Sequence, residues 1–236
     1  MELKGKVVIV TGASSGIGEA TARRLASEGA RLVLAARRTD RIQTLAEELA
    51  ESVAVTTDMR DPTQVRALVA AATDAYGGVD VLVNNAGQGL HVPVMDIELD
   101  DLVAVTELNF YAPLLAMQAV VPVMRRRGGG SIVNVSSGTT LMVPTGTAGY
   151  AATKAALNML SRTARAELSV EAISVSIVYP FVTATEFHDT LRAGDGPQRG
   201  LEPHPPELVA DAIARVIASG DEEAVLVPEQ LRRRPA

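Results

Sequence analysis

A tyrosine and a lysine four residues apart form the first pattern with chemical potential. The stretch GYAATKAAL, residues 149–157, places Tyr150 and Lys154 in an alanine-rich run that we expect to be helical. Residues at this spacing lie on one face of a helix, one turn apart. A phenol has a pKa of about 10, but a neighbouring ammonium favours the phenolate and lowers that pKa. The pair could carry a proton, although taken alone it is better interpreted as a surface tyrosine and a solvated lysine.

A glycine-rich segment has the spacing of a phosphate-binding turn. The sequence TGASSGIG, residues 11–18, places Gly12, Gly16 and Gly18 after an apolar run and before a helical stretch. Glycine permits the tight turn, lets a ligand approach the backbone and allows close helix packing. The N–H groups at the following helix N-terminus attract a pyrophosphate. In this context the turn predicts a dinucleotide site.

The end of the second apolar run indicates which dinucleotide binds. NAD sites usually have an acid here for the ribose 2′-hydroxyl. Ala36 stands at that place, and Arg37 and Arg38 follow. A guanidinium binds a 2′-phosphate with paired hydrogen bonds, whereas an acid would repel it. We therefore predict NADP(H) in preference to NAD(H), the alternative being a solvated basic turn.

The hydrophobic pattern predicts the elements that must position these residues. Short runs rich in β-branched residues alternate with amphipathic segments, and the runs lack clean two-residue alternation, as expected of strands buried on both faces. Right-handed crossovers then favour an α/β, Rossmann-like doubly wound parallel sheet of about seven strands in the order 3-2-1-4-5-6-7. The predicted strands are 6–10, 31–36, 53–57, 79–85, 131–137, 173–179 and 224–228. The predicted helices lie near 16–28, 40–50, 62–76, 98–126, 150–170 and 206–219.

Composition restricts the domain count and the classes of partner. At 236 residues and 47% hydrophobic, the chain can form one core, so we expect a single domain over 1–236 with the irregular segment 186–206 as a substrate-binding loop or lid. There are no cysteines, and the three histidines have no metal-ligand spacing, so no metal site is predicted. A net charge of −6 argues against nucleic-acid binding. Without an apolar run of membrane-spanning length or a secretion signal, we expect a cytoplasmic protein with no membrane partner.

Together, these motifs resemble the short-chain dehydrogenase/reductase family over about residues 4–187. TGASSGIG is similar to the family's TGxxxGxG turn, and NNAG, residues 84–87, to the motif after its fourth strand. Asp58 matches the residue that meets adenine in relatives. The family's catalytic tetrad is matched by Asn109, Ser137, Tyr150 and Lys154, and the interval between the serine and the tyrosine also fits.

The resemblance implies an oxidoreductase that interconverts a carbonyl and a secondary alcohol by hydride transfer. Tyr150 would be the general acid/base, Lys154 would lower its pKa and hold the nicotinamide ribose, and Ser137 would bind the substrate oxygen. Thr183 and Thr185 match residues that contact the nicotinamide amide and the phosphate. The implied cofactor-binding residues are Gly12, Ser14, Ser15, Gly16, Ile17, Gly18, Arg37, Arg38, Asp58, Met59, Asn84, Ala86, Gly87, Tyr150, Lys154, Pro180, Thr183 and Thr185.

Asn109 also permits an argument from backbone chemistry. It lies early in a long apolar helix, and Pro113, four residues on, has no N–H to donate to its carbonyl. We expect a kink there and a free carbonyl that could hold a water connected to Lys154. The alternative is that Pro113 merely fits a local bend.

One position departs from the family pattern. Phe181 follows Pro180, where relatives commonly have glycine. Its ring either lines the substrate pocket or points away and alters the loop, so the departure affects the local backbone and not the predicted reaction.

Two alternatives to the leading interpretation stay open. The cluster Arg125–Arg127 could dock an acidic carrier, as in a 3-oxoacyl-carrier-protein reductase, or it could simply complement a helix dipole. The second alternative is a non-catalytic NADP-binding scaffold or sensor. The complete tetrad disfavours it, because cofactor binding alone needs no proton carrier. The segments 88–97, 138–149 and 181–206 should line the pocket. Their residues suggest a moderately apolar small-molecule substrate: Leu90, His91, Leu141, Met142, Val143, Phe181 and Phe187.

The segment 98–126 has apolar residues on more than one face. One face can cover the sheet, and the surplus needs another partner. Relatives pair this helix, and the one carrying Tyr150, across a two-fold axis. We expect a homodimer or homotetramer, unless the segment 186–206 folds back over the surplus surface.

Overall fold

The structure, a computed structural model, describes residues 1–196 and 201–232 and contains one parallel sheet. Its strands are β1 (Val7–Thr11), β2 (Arg31–Ala36), β3 (Ser52–Thr56), β4 (Val81–Asn84), β5 (Gly130–Val135), β6 (Ile173–Tyr179) and β7 (Glu223–Val225). Its α-helices are α1 (Gly16–Ser27), α2 (Thr39–Glu48), α3 (Pro62–Tyr76), α4 (Leu99–Thr106), α5 (Ala112–Arg126), α6 (Thr139–Met142), α7 (Ala148–Leu168) and α8 (Pro206–Ser219). The strand order β3-β2-β1-β4-β5-β6-β7 confirms the predicted doubly wound sheet.

The central strands are buried on both faces. In β1, Val8 and Val10 point into the apolar layer shared with α1, α2 and α8. Val7 and Ile9 point into the opposite layer, shared with α3, α5 and α7. This two-sided burial explains why the strand sequences are continuously apolar.

The winding of the chain reverses at the middle of the sheet. β1 pairs with β2 on one side and with β4 on the other, both in parallel. A crevice forms at such a reversal, outside the carboxyl ends of the strands, and it is where open α/β sheets bind ligands. The segments that follow β1, β2, β4 and β5 all reach this edge.

The predicted helix 98–126 is interrupted where the sequence indicated. A π-helical turn, Glu107–Tyr111, separates α4 from α5, and the N–H of Ala112 donates to the carbonyl of Glu107, five residues earlier. Pro113 lies in the first turn of α5 and cannot donate to Asn109. The wider turn accommodates the missing hydrogen bond.

The combined run Leu99–Arg126 is also the one helix in the described chain that is long and apolar enough to suggest a membrane span, with 28 residues and a mean hydropathy of 1.2. In the fold, α5 covers the sheet, and Val120 and Met124 are fully buried in the layer that it shares with α3. Packing against the sheet therefore accounts for much of its apolar composition.

The irregular segment after β6 is anchored on both sides of the undescribed residues. It contains a 3₁₀ turn, Glu186–Thr190. The N–H of His91 donates to the carbonyl of Ala193, and the N–H of Ala184 donates to the carbonyl of His204. Of the predicted lid 186–206, residues 197–200 lie outside the described residues.

Candidate active site

A cavity of about 570 Å³ opens at the winding reversal between β1 and β4. It extends from the glycine turn after β1 to the first turn of α7. The predicted residues that line it are Gly12, Ser14, Ser15, Gly16, Ile17, Arg37, Arg38, Asp58, Met59, Ala86, Gly87, Ser137, Tyr150, Lys154, Pro180, Thr183 and Thr185. Within the described chain, Gly18, Asn84 and Asn109 do not border the cavity and belong to the structure behind its wall.

The glycine turn is too tight for larger residues. Gly12 and Gly16 have φ of 66° and 56°, in the left-handed region. A Cβ on Gly18 would lie 2.2 Å from the carbonyl oxygen of Gly12. Ser15 precedes α1 and makes no side-chain cap within the described chain, so the first N–H groups of α1 face the cavity and can receive a phosphate.

Asn85 braces this turn, a role that the sequence analysis did not assign. Its amide donates to the carbonyls of Thr11, at 3.0 Å, and Gly12, at 3.3 Å. The Thr11 hydroxyl in turn accepts from the N–H groups of Asn85 and Ala86. The end of β4 is thereby tied to the phosphate-binding turn.

Asn84 faces the opposite way, into the protein. Its amide donates to Asn134 at 2.8 Å, and the Asn134 amide donates to Ser161 at the same distance. All three residues are buried. Asn84 therefore links β4, β5 and α7, and the structure does not bring it to the cofactor cavity.

The adenosine end is defined by Arg38 and Asp58. Arg38 donates to the hydroxyls of Ser14, at 3.1 Å, and Ser15, at 2.5 Å, and is thus fixed beside the glycine turn. Arg37 is exposed at the rim. Arg60 binds the Asp58 carboxylate at 2.6 Å and holds the pKa of Asp58 below its ordinary value.

The catalytic candidates meet at the other end. Tyr150 lies in the first turn of α7, is 7% exposed and lines the cavity together with Ser137. The Ser137 hydroxyl accepts from the hydroxyl of Thr139 at 3.0 Å, which fixes its orientation. The Lys154 ammonium donates to the carbonyl of Val135 at 2.8 Å and lies 6.0 Å from the centre of the Tyr150 ring.

The electrostatics differ from the expected lowering of the tyrosine pKa. Burial raises the pKa of Tyr150 to about 12, and the Ser137 side chain opposes this rise. Burial lowers the pKa of Lys154 to about 8. Desolvation dominates because both side chains are buried. The protein by itself therefore holds Tyr150 protonated at neutral pH, ready to donate.

Asn109 is fully buried beneath the loop after β4. Its side-chain oxygen accepts from the N–H of Gln88 at 2.9 Å, and its amide donates to Gln88 and Thr153. A Cβ on Gly87 would lie 3.1 Å from that oxygen and 3.4 Å from the Lys154 ammonium. Asn109 and Lys154 thus flank the same glycine, and the water held by the Asn109 carbonyl stays a prediction.

Aromatic and imidazole rings line the substrate side. The Phe181 ring is buried and lies 5.2 Å from the ring of His204. The backbone of Phe181 does not have a positive φ, so its conformation is compatible with a side chain at this position. The rings of Phe187 and His91 lie 5.7 and 6.2 Å from Tyr150. Burial, assisted by His91, lowers the pKa of the neighbouring His188.

Comparison with known proteins gives the class. Residues 6–196 match the family model described as short chain dehydrogenase, and the chain belongs to this family. An uncharacterized oxidoreductase of Staphylococcus haemolyticus is 36% identical over 214 residues, covering 90% of each chain. Another, from Staphylococcus saprophyticus, is 36% identical over 219 residues, covering 91% of this chain and 89% of the relative.

Solved structures agree with this assignment. A 3-ketoacyl-(acyl-carrier-protein) reductase from Brucella melitensis complexed with NADH has a TM-score of 0.86 and 27% identity, over 95% of this chain and 97% of that one. A short chain dehydrogenase/reductase from Burkholderia phymatum in complex with NAD has a TM-score of 0.87 and 28% identity, over 95% and 90%. The protein is therefore an oxidoreductase of the short-chain dehydrogenase/reductase type.

Proposed function

We propose that the protein is an NADP(H)-dependent oxidoreductase that interconverts a small, moderately apolar carbonyl compound and the corresponding secondary alcohol. The observation that carries this proposal is the buried Tyr150, which lines the same cavity as Ser137, Lys154 and the glycine turn. We also propose a cytoplasmic location and a homo-oligomeric state, as expected from the sequence.

The residues around the cavity fit a dinucleotide phosphate. The free N–H groups of α1 suit the pyrophosphate, Arg38 suits a 2′-phosphate, and Asp58 and Met59 border the space beside them. Lys154 would hold the nicotinamide ribose at the other end. When bound, the cofactor supplies or accepts the hydride.

The side chains of the cavity account for the proton transfer. In the reducing direction, the substrate carbonyl oxygen accepts hydrogen bonds from Ser137 and Tyr150, and the phenol proton moves to that oxygen as negative charge develops on it. The phenolate left on Tyr150 is stabilised by the nearby ammonium of Lys154 and takes up a proton from solvent. In the oxidising direction, the phenolate oxygen of Tyr150 accepts the hydroxyl proton of the substrate alcohol.

Turnover of a carbonyl panel, followed by NADPH absorbance, tests the proposal. We expect oxidation of NADPH with at least one apolar ketone or aldehyde. Tight NADPH binding without turnover of any substrate would favour the non-catalytic scaffold instead.

The cluster Arg125–Arg127 does not support the alternative of a 3-oxoacyl-carrier-protein reductase. Arg125 is paired with Glu171, and Arg127 binds Asp80 at 2.9 Å. The cluster ends α5 just before β5 begins, so it lies at the edge of the sheet opposite the cavity. An acyl group delivered there would be remote from Tyr150.

A further inference from the structure

A carboxylate from the far end of the chain reaches the adenosine end of the cavity. Glu186 opens the 3₁₀ turn after β6 and lines the cavity. It accepts from Arg38 at 2.8 Å and from Arg41 at 2.9 and 2.8 Å. Neither Arg41 nor Glu186 was among the residues predicted from the sequence.

This contact occupies the donors that a 2′-phosphate would use. The three guanidinium nitrogens of Arg38 donate to Ser14, Ser15 and Glu186, respectively. The two hydroxyls orient the guanidinium, and the carboxylate engages its remaining nitrogen. The arginines hold the pKa of Glu186 below its ordinary value, so it is ionised at neutral pH. A phosphate dianion approaching Arg38 therefore meets a like charge and an engaged donor.

We propose that Glu186 sets the discrimination between NADP(H) and NAD(H), because its carboxylate competes with the 2′-phosphate for Arg38 and Arg41. This inference rests on the proposed function. A 2′-hydroxyl carries no charge and does not enter the competition, so Glu186 acts on one cofactor and spares the other. A negative charge that disfavours a 2′-phosphate, absent at Ala36, is thus supplied from the segment after β6.

The same residue connects the two ends of the cavity. Phe187, the next residue, packs its ring against Tyr150. Glu186 is the first residue of the 3₁₀ turn that also contains Phe187. A 2′-phosphate that displaces the Glu186 carboxylate therefore acts on this turn. The Glu186 contact is half exposed, so its effect on affinity is moderate.

Binding of the adenosine half-cofactors tests the proposal. Calorimetry would compare 2′,5′-ADP, which carries the 2′-phosphate, with 5′-AMP, which does not. In Glu186→Gln, we expect 2′,5′-ADP to bind about three- to tenfold tighter and 5′-AMP to change by less than about twofold. NADPH and NADH should follow the same pattern.

Asp189→Asn is the matched control. Asp189 is exposed in the same turn, outside the cavity, and its substitution removes the same charge. We expect no change in the ratio of the two affinities. Glu186→Ala, which removes the hydrogen bonds as well, should shift the ratio in the same direction as Glu186→Gln.

Three results would overturn the inference: parallel changes for both half-cofactors, a ratio in Glu186→Gln no different from Asp189→Asn, or no binding of 2′,5′-ADP to any variant. The proposed reaction fails separately, if NADPH binds without turnover of any carbonyl compound.

Discussion

At the scale of single residues, proton transfer is assigned to one phenol oxygen. Tyr150→Phe keeps the ring that packs against Phe187 and removes the proton. We expect turnover to fall by at least about 10²- to 10⁴-fold, with NADPH affinity largely unchanged. Steady-state kinetics and a binding titration measure the two quantities. Turnover comparable with the parent would remove Tyr150 from the proposed mechanism.

Lys154 should make stability depend on pH. Its pKa is about 8 in the folded protein against 10.5 for an ordinary lysine, so the unfolded chain binds more protons between these values. The free energy of unfolding should therefore rise with pH across this window. From pH 7 to 9.5 we expect a gain of about 2 kcal/mol relative to Lys154→Met, which cannot titrate there.

Denaturant unfolding of both proteins at the two pH values measures this difference. The charged ammonium is disfavoured by burial at pH 7, and the penalty fades as the group loses its proton. A constant difference between the parent and Lys154→Met would show that Lys154 is not desolvated.

The two arginines after β2 should contribute unequally. Arg38 is fixed by Ser14 and Ser15, whereas Arg37 is exposed. Arg38→Leu should weaken NADPH binding about tenfold or more and leave NADH within about twofold, because NADH has no 2′-phosphate for Arg38 to bind. Arg37→Leu is the control and should have the smaller effect. Equal losses for both cofactors would contradict the assignment of Arg38.

At the scale of elements, the glycine turn contains a position at which alanine should lower the stability of the protein, contrary to the usual effect in a helix. Alanine in place of a helical glycine normally stabilises by about 1 kcal/mol. At Gly18 the new Cβ would meet the carbonyl oxygen of Gly12, so we expect Gly18→Ala to destabilise by about 1–3 kcal/mol and weaken NADPH binding.

Thermal unfolding and a cofactor titration test this expectation. Gly77→Ala is the control, since Gly77 has φ of 81° and open space around it. It should lose about 1 kcal/mol of stability without changing cofactor affinity. An unchanged or higher stability in Gly18→Ala would show that α1 shifts at little cost.

The elements were predictable because each has a local signature. β-branched runs indicated the strands, and Pro113 indicated the interruption at Asn109. The contact of Glu186 with Arg38 was not predictable, because nothing local relates residues 148 positions apart. The directions of Asn84 and Asn85 were missed for a different reason: adjacent residues of one type face opposite sides where a strand ends, and the sequence alone does not say which side is the cavity.

At the scale of the whole molecule, apolar surface stays exposed on α4 and α7. Leu99 is 70% exposed, Val103 47% and Met159 63%. The described part of the segment 186–206 leaves these side chains uncovered. We therefore expect a homodimer or homotetramer built on this surface.

Light scattering at micromolar concentration measures the assembly. Val103→Glu should dissociate the oligomer while cofactor binding is kept, because a charge is costly in an apolar interface. Val170→Glu, at a position 87% exposed beyond the end of α7, is the control and should not. A parent mass near 24.7 kDa would refute the assembly.

The buried hydrogen bonds from Asn84 through Asn134 to Ser161 have a consequence for the position of Tyr150. Apolar side chains tolerate small displacements along a helix axis, whereas hydrogen bonds depend on both distance and angle. Ser161 also donates to the carbonyl of Leu157, so the polar chain ends inside α7 itself. α7 is thereby fixed in rotation and in translation against the middle of the sheet. The catalytic phenol keeps its place relative to the strands because of amides that lie behind the cavity wall.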